Sequence, residues 1–341
     1  MTSPVFDPER DLTVVIPTYN RSQYFLQYLT QGYWDHRRIH LVCDGCDEAV
    51  VRELQAQTRG RDITVLDEQP NRGVAHAIGV GVRSVQTRHF MFCGDDDFNV
   101  DYDGFLAEAA ALAQAHNDLL FVTMPFIYRR EGSQTQVQFD RRAFHGWTGE
   151  RLLRYLVETG EMKALVAGSL FRTAEVVPVL PEPFFRVSED YTLLVRLCAA
   201  YPARKVYVAG QGARMRLIHD ASLSSRSGFT LEKALMHLIS MTVGAAHLMA
   251  RGALTKLMFA RILLQRGRML HASYGLGQKA AAILAALVVA QPIQGSDAQV
   301  QQTLRFLRAH LEALPAEVFA VWGQEGVSCL LDAPVATALP A

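Results

Sequence analysis

Between residues 12 and 128, five short apolar runs alternate with polar or helical stretches, and this alternation constrains the fold more than any other feature. The runs are LTVVIPTY (12–19), RIHLVCDG (38–45), ITVLDEQ (63–69), HFMFCGDD (89–96) and LLFVTMPFIY (119–128). They are rich in β-branched and aromatic residues and end at polar or glycine-containing clusters, as strands do. Segments such as GFLAEAAALAQAH (104–116) have helical period between them. Strand, helix, strand, helix predicts an α/β fold with a mostly parallel sheet flanked by helices on both faces. From about residue 229 the strand pattern stops. FTLEKALMHLISMTVGAAHLMARG, ALTKLMFARILLQRGRMLHASYG and DAQVQQTLRFLRAHLEAL all have three- and four-residue apolar spacing. The polar turn HDASLSSRSG (219–228) therefore divides residues 1–228 from a helical C-terminal extension, 229–341. Met236, Met241, Met249, Met258 and Met269 of that extension read as core packing.

Composition removes several classes of function. Lys+Arg and Asp+Glu balance at 34 each, so the total charge carries no field for nucleic acid or an anionic membrane. The polar start MTSPVFDPERD has no secretory apolar region. The longest apolar run, AAAILAALVVA (280–290), is shorter than the ~18 residues of a membrane span. A cytoplasmic protein, at most peripheral to the inner face of a membrane, is expected. Five cysteines, at 43, 46, 93, 198 and 329, make a poor disulfide framework and suit a reducing compartment. Cys43 and Cys46 form one C-x-x-C, which alone cannot close a four-ligand zinc site, and the later strands do not follow a thioredoxin pattern. There is no Walker loop and no G-x-G-x-x-G after the first strand. Gly79 and Gly81 read instead as close helix packing.

Ligands of open parallel sheets bind outside the carboxyl ends of the strands. Three runs end in groups suited to that place: Pro17-Thr18-Tyr19-Asn20-Arg21, Asp44-Gly45 and Gly94-Asp95-Asp96-Asp97. Three adjacent carboxylates repel one another unless a cation sits among them. A hard divalent ion, Mg²⁺ or Mn²⁺, that bridges a carboxylate to substrate phosphates would supply it. The plainer reading is a solvated turn, with Asp97 capping the helix that follows. A second acidic pair, Glu189 and Asp190, opens an amphipathic helix with Leu193, Leu194 and Leu197 on its buried side. Preference of acids for a helix N-terminus accounts for the pair. A general base fixed by Ser188 as N-cap accounts for it equally.

Seven segments, in order, resemble family 2 glycosyltransferases of the GT-A fold: VVIPTYNR (14–21), LVCDGCD (41–47), QPNRGVAHA (69–77), FMFCGDDDF (90–98), AGSLFRTAEV (167–176), SEDYTLLVRL (188–197) and MRLIHDASLS (215–224). The resemblance covers about residues 10–225 and departs from the family at Cys43, Ala77-Ile78-Gly79 and Gly94. It implies a nucleotide-diphosphate sugar donor across the sheet edge. Pro17, Thr18 and Tyr19 would line the base pocket, and Asp44 would bond base or ribose. Asp95 or Asp96 would contact ribose, and Arg21 and Arg72 would offset phosphate charge. Asp97 and His219 would hold Mn²⁺ or Mg²⁺. Asp190 would be the catalytic base of an inverting transfer to a glycan, lipid-linked or other hydroxyl acceptor. In the segment 128–156, Trp147, His145 and the arginine pairs 129–130 and 141–142 would meet that acceptor, or else form a solvated loop with one packed aromatic. The helical tail would pack against the catalytic domain, or make a homo-oligomer or membrane-surface contact. Two rival readings are a sugar nucleotidyltransferase and a degenerate fold that binds sugar nucleotide or acts as an assembly partner.

Overall fold

The computed structural model describes residues 6–35, 37–130, 132, 136–163, 165–181, 188–218, 231–255, 258, 259 and 262. The strands are β1 (Leu12–Thr18), β2 (Ile39–Asp44), β3 (Ile63–Glu68), β4 (His89–Phe92), β5 (Asp97–Val100), β6 (Leu119–Thr123), β7 (Phe126–Arg130), β8 (Gln136–Phe139), β9 (Leu170–Arg172), β10 (Lys205–Val208) and β11 (Ala213–Ile218). The α-helices are α1 (Pro8–Asp11), α2 (Ser22–Thr30), α3 (Glu48–Gln57), α4 (Val74–Ser84), α5 (Tyr102–Ala115), α6 (Gly149–Thr159), α7 (Thr173–Val176), α8 (Glu189–Ala200) and α9 (Leu231–Ala250).

Seven strands form the main sheet in the order β10-β6-β9-β4-β1-β2-β3. Every pairing is parallel except those of β9, which runs against β4 and β6. Alternation along each strand explains the two-sided burial. Val14 and Ile16 of β1 join Phe25, Leu29, Leu41 and Leu54 in one apolar core. Val15 faces the other way, toward Gly81 of α4. A side chain at Gly81 would overlap Val15 Cγ1 and crowd Val42 Cγ2. Gly81 thus serves close packing, as its sequence suggests, whereas a Cβ at Gly79 would meet only the movable end of Arg83. A second core gathers Leu12, Met91, Phe105, Leu106, Leu119 and Leu170 beneath α5.

Two features depart from the expected pattern. The run 119–128 is not one strand but two, β6 and β7, which lie in different sheets. Pro125 lies between them; it has no N–H for a ladder and cannot continue a central strand. The run 89–96 also stops early, at Phe92. Gly94–Asp97 makes a turn, with the Asp97 N–H donating to Gly94 O at 3.2 Å. The chain then enters a second sheet of order β5-β11-β7-β8. Asp97 is the first residue of that sheet, and the cap of α5 falls to Asp101, which accepts from Gly104 N–H at 3.2 Å.

The chain divides into two compact units. The first, Met1–Gly149, Met162–Leu197 and Ala203–Gly228, contains both sheets. The second contains Glu150–Glu161, Cys198–Pro202 and the chain from Phe229. Within it, His237 of α9 meets Gly160 O at 2.6 Å, and Arg251 donates to Ala199 O at 2.6 Å. Met241 and Met249 are buried, whereas Met258 is exposed; the side chains of Met236 and Met269 lie outside the described residues, as do most of 256–341. Among the described residues no helix is long and apolar enough to cross a membrane.

The packing of α4 gives a direct test. Gly81→Ala should lose about 1–3 kcal/mol to overpacking, more than the ~1 kcal/mol alanine gains over glycine inside a helix. A lower urea midpoint with unchanged slope is the expected result; a stabilised variant would contradict this packing.

Candidate active site

The carboxyl ends of β1, β2 and β4 lie side by side, because β1 pairs in parallel with both neighbours. The acid run closes one side of this edge. Asp97 is completely buried. Its Oδ2 accepts from Gly94 N–H at 2.9 Å and Arg216 Nη2 at 3.2 Å, and it lies 2.9 Å from Arg214 Nη2; Oδ1 accepts from Arg216 Nε at 2.8 Å. Arg216 faces Asp97 directly in the antiparallel β5–β11 register, the spacing at which cross-strand charge pairs interact. Burial alone would raise the Asp97 carboxyl, but Arg216 and Arg214 outweigh it and hold the group well below the usual carboxylate range.

This arrangement sets arginine donors against the Asp97 oxygens expected to hold a metal. Four donor contacts meet a group with roughly four lone-pair sites. A divalent cation would have to displace a guanidinium and then sit beside two positive charges. His219, the other expected ligand, lies outside the described residues. Among those described, no three His, Cys, Asp or Glu side chains converge as a metal cage. A cation of the Mg²⁺ type needs only one or two carboxylates when substrate phosphates complete its shell. Asp96 and Asp95, at the tip of the turn, have the chemistry for that.

Asp95 is buried between two donors. Thr18 Oγ1 donates to its Oδ2 at 2.7 Å, and Arg21 Nη2 donates to its Oδ1 at 2.7 Å. Burial pushes its pKa up to about 7 despite Arg21, with Asp96 and Asp97 adding to the rise. Asp96 lies 3.6 Å from Arg21 Nη1. Three carboxylates therefore face three guanidinium groups: Arg21, Arg214 and Arg216.

Asp44 holds the neighbouring loop. Its Oδ1 accepts from Arg72 N–H at 3.0 Å and its Oδ2 from Gly73 N–H at 2.7 Å, while Asn71 Nδ2 donates to its carbonyl at 2.8 Å. Gly45 follows with φ +73°, and a side chain there would strike the backbone of Asn71, so this turn requires glycine. Each Asp44 oxygen keeps one further lone pair for a ligand. Arg72 is exposed. Pro17 is half-buried near the end of β1, and Tyr19 beyond it is 50% exposed. Asn20, at φ 52°, accepts from Asp47 N–H at 2.8 Å and so joins the β1 loop to the start of α3.

Asp190 stands half-buried in the first turn of α8, where its Oδ1 accepts from Tyr191 N–H at 2.8 Å. Its charge reaches Tyr128 on β7, whose phenol is raised first by burial, against Arg216, with Asp190 adding. Ser188 does not cap the helix as expected. It adopts φ 60°, and its buried Oγ has no hydrogen-bond partner; its carbonyl instead receives Thr192 N–H and Oγ1 at 3.0 and 2.9 Å.

The segment 128–156 is also corrected. It is not a solvated loop but carries β8, a 3₁₀ turn (Arg142–Phe144) and α6. Arg141 is fully buried, stacked 4.8 Å over Phe126 and donating to Thr123 Oγ1 at 2.6 Å. It therefore cannot grip an acceptor, and burial lowers its pKa to about 9. Arg142 is exposed but pairs with Asp140 at 3.0 Å. Trp147 packs edge-on against Phe144, with centroids 4.9 Å apart. His145 sits edge-on to Tyr207 at 5.5 Å. Arg129 is half-buried, and the side chain of Arg130 lies outside the described residues. The anchoring role of Arg214 and Arg216 escapes sequence reasoning, although a signal exists: arginines two apart in ARMRLI point to one face of a strand.

Two outcomes follow from this electrostatics. Asp97→Asn leaves Arg214 buried without its counter-charge, and should cost about 3–5 kcal/mol in urea denaturation. Asp97 titrates below the unfolded value of 3.8, so its stabilisation is present above that pH and lost as pH falls through the acid range. Asp95 behaves oppositely. Its contribution is present below 3.8 and lost as pH rises through about 7. Thermal midpoints of the wild type should therefore fall between pH ~4 and ~7. That fall should vanish in Asp95→Asn, and its persistence there would contradict the assignment.

Comparison with known proteins agrees with this fold. The family model described as "Glycosyl transferase family 2" matches residues 13–168. No curated protein sequence is matched to the chain. Among solved structures, S. aureus TarS 1–349 in complex with UDP-GlcNAc is similar at a TM-score of 0.55 and 15% identity, over 95% of this chain and 87% of that one. S. aureus TarS is similar at a TM-score of 0.51 and 15% identity, over 95% of this chain and 52% of that one. Residues 13–168 thus match the family 2 glycosyltransferase model on a GT-A fold, which supports a transferase enzyme.

Proposed function

We propose that residues 1–228 form the catalytic part and transfer a sugar from a nucleoside-diphosphate donor to an acceptor hydroxyl with inversion, in glycan or polysaccharide synthesis. Residues 229–341 are its helical extension. The observation that carries this reading is the convergence of Thr18, Arg21, Asp44, Asp95 and Asp96 on one sheet edge, through the parallel pairing of β1 with β2 and β4. TarS, which has the same fold, was solved with UDP-GlcNAc, and a donor of that chemical class suits the edge described here.

In this reading the exposed Tyr19 ring and Pro17 line the base pocket. Asp44 offers its remaining lone pairs to base or ribose and keeps the 71–73 loop in place. Asp95, braced by Thr18 and Arg21, accepts from ribose. Arg72 lies over the diphosphate as the exposed cation of that loop. Asp96 holds Mn²⁺ or Mg²⁺, which when bound supplies charge stabilisation to the leaving diphosphate. Asp190, fixed by its own helix, takes the proton of the acceptor hydroxyl as that oxygen attacks the anomeric carbon. One base and one displacement invert the centre.

A thermal-shift series with UDP, GDP, dTDP and CMP, each with and without Mn²⁺, tests donor class. One diphosphate should raise the midpoint, and no response to any of them would overturn the donor reading. Asp190→Asn should keep that shift and lose about 10²–10⁴-fold in turnover. Full activity in this variant would remove Asp190 as the base.

A further inference from the structure

The residue just ahead of α8 carries two costs that the base reading of Asp190 does not explain. Ser188 occupies the N-cap place: its carbonyl receives Thr192 N–H at 3.0 Å, the first bond of the helix, and Thr192 Oγ1 at 2.9 Å. Thr192 is itself buried, so the carbonyl is firmly held. A serine in this place ordinarily has an extended backbone, and its Oγ accepts from the N–H two or three residues on. Here φ is 60°, a left-handed conformation that favours glycine. The hydroxyl is buried and bonds nothing, and the residue is only 5% exposed. Backbone strain and a desolvated hydroxyl without a partner therefore fall on one residue, two positions before the proposed base.

The N–H that an N-cap serine would take is already occupied. Tyr191 stands three residues after Ser188, and its N–H donates to Asp190 Oδ1 at 2.8 Å. Asp190 thus does the capping that Ser188 leaves undone, and one oxygen of the base is tied to its own helix. A carboxylate that accepts from a backbone N–H is a weaker base than the same group released from it.

We propose that Ser188 is a positioning residue that exchanges caps with Asp190 when the acceptor hydroxyl arrives. Ser188 φ rotates from the left-handed into the extended region, its Oγ accepts from Tyr191 N–H, and Asp190 Oδ1 is released to face the hydroxyl. No polar group loses by the exchange. Tyr191 N–H keeps an acceptor, Ser188 Oγ gains a partner, and Asp190 Oδ1 trades a backbone N–H for the acceptor O–H. The Ser188 carbonyl keeps its place, because a bond from Thr192 N–H belongs to the ordinary N-cap geometry as well. Relief of the left-handed backbone and of the unpartnered hydroxyl offsets the departure from the observed arrangement. The effect on turnover rests on the reading of Asp190 as base given above; the exchange of caps does not.

Two full-length variants bias the exchange in opposite directions. Ser188→Gly is at ease at φ 60° and has no cap to offer, so it holds the observed arrangement. Ser188→Thr can cap, but its branched side chain is disfavoured in the left-handed region, so it favours the exchanged one. Crystal structures of both variants read the exchange without any substrate. Ser188→Gly should keep Tyr191 N–H on Asp190 Oδ1. Ser188→Thr should place the introduced hydroxyl within hydrogen-bond distance of Tyr191 N, with the Asp190 carboxylate turned away. A left-handed residue 188 in Ser188→Thr, with the Tyr191–Asp190 bond intact, would overturn the proposal. Turnover tests it independently, as release of nucleoside diphosphate from the sugar nucleotide of the responding base, with Mn²⁺ present and water as acceptor. Ser188→Gly should unfold at a urea midpoint no lower than the wild type, keep the nucleotide thermal shift and the donor KM, and lose at least about tenfold in kcat, within the ~10²–10⁴-fold that a general base supplies. An unchanged kcat in Ser188→Gly would overturn the positioning role. Failure of the donor reading would show separately, as absence of any nucleotide shift in the wild type, and the crystal structures of the two variants would still decide the exchange of caps.

Discussion

A single buried carboxylate ties the two sheets of this protein together. Asp97 ends the turn that leaves the main sheet and begins the strand that enters the second, and Arg214 and Arg216 of β11 close on it from across that sheet. Removing two guanidinium groups and a carboxylate from water is expensive. The arrangement holds because the opposite charges pair, because Gly94 N–H also donates to Asp97, and because Arg216 lies 5.8 Å from the face of Phe126. The clamp fixes the turn on which Asp95 and Asp96 sit, so the sheet edge proposed to hold the donor takes its geometry from these arginines.

The same clamp answers why three aspartates are tolerated at one strand end. Arg21, Arg214 and Arg216 lie against these carboxylates, and burial, with Asp96 and Asp97 adding, pushes the pKa of Asp95 up to about 7. A site with this internal compensation is built before any ligand arrives. It asks a divalent ion to neutralise the diphosphate rather than the protein. In the proposed function the run divides its roles: Asp97 serves the architecture through Arg214 and Arg216, while Asp95 and Asp96 at the tip of the turn serve the donor.

Much of the fold was legible in the sequence, because parallel strands buried on both faces appear as near-continuous β-branched runs. The first three strand ends fall within a residue or two of their expected positions, and Gly81 declares its packing role. The second sheet was not legible. Its strands are short, and two continue directly from main-sheet runs, so periodicity merges 119–123 with 126–130 and carries 89–92 on into the turn. Pro125 and Gly94 mark those breaks. The candidate site was partly legible: residue types at strand ends place Thr18, Asp44 and Asp95 at one sheet edge. What the sequence did not disclose is which cation each acid meets, because Arg214 and Arg216 lie more than a hundred residues away from their partner. Ser188 misled for a local reason: its left-handed backbone turns Oγ away from the helix it precedes.

The central claim is that Asp97 belongs to the architecture and Asp96 to the donor site. Calorimetric titration of a manganese–nucleoside diphosphate complex into folded Asp96→Asn and wild-type protein tests it most directly, with the manganese dependence of binding as the readout. The account predicts that Asp96→Asn unfolds at the wild-type denaturant midpoint yet loses the manganese-dependent part of the affinity. A variant that keeps that affinity intact would contradict it, and would return the metal to Asp97.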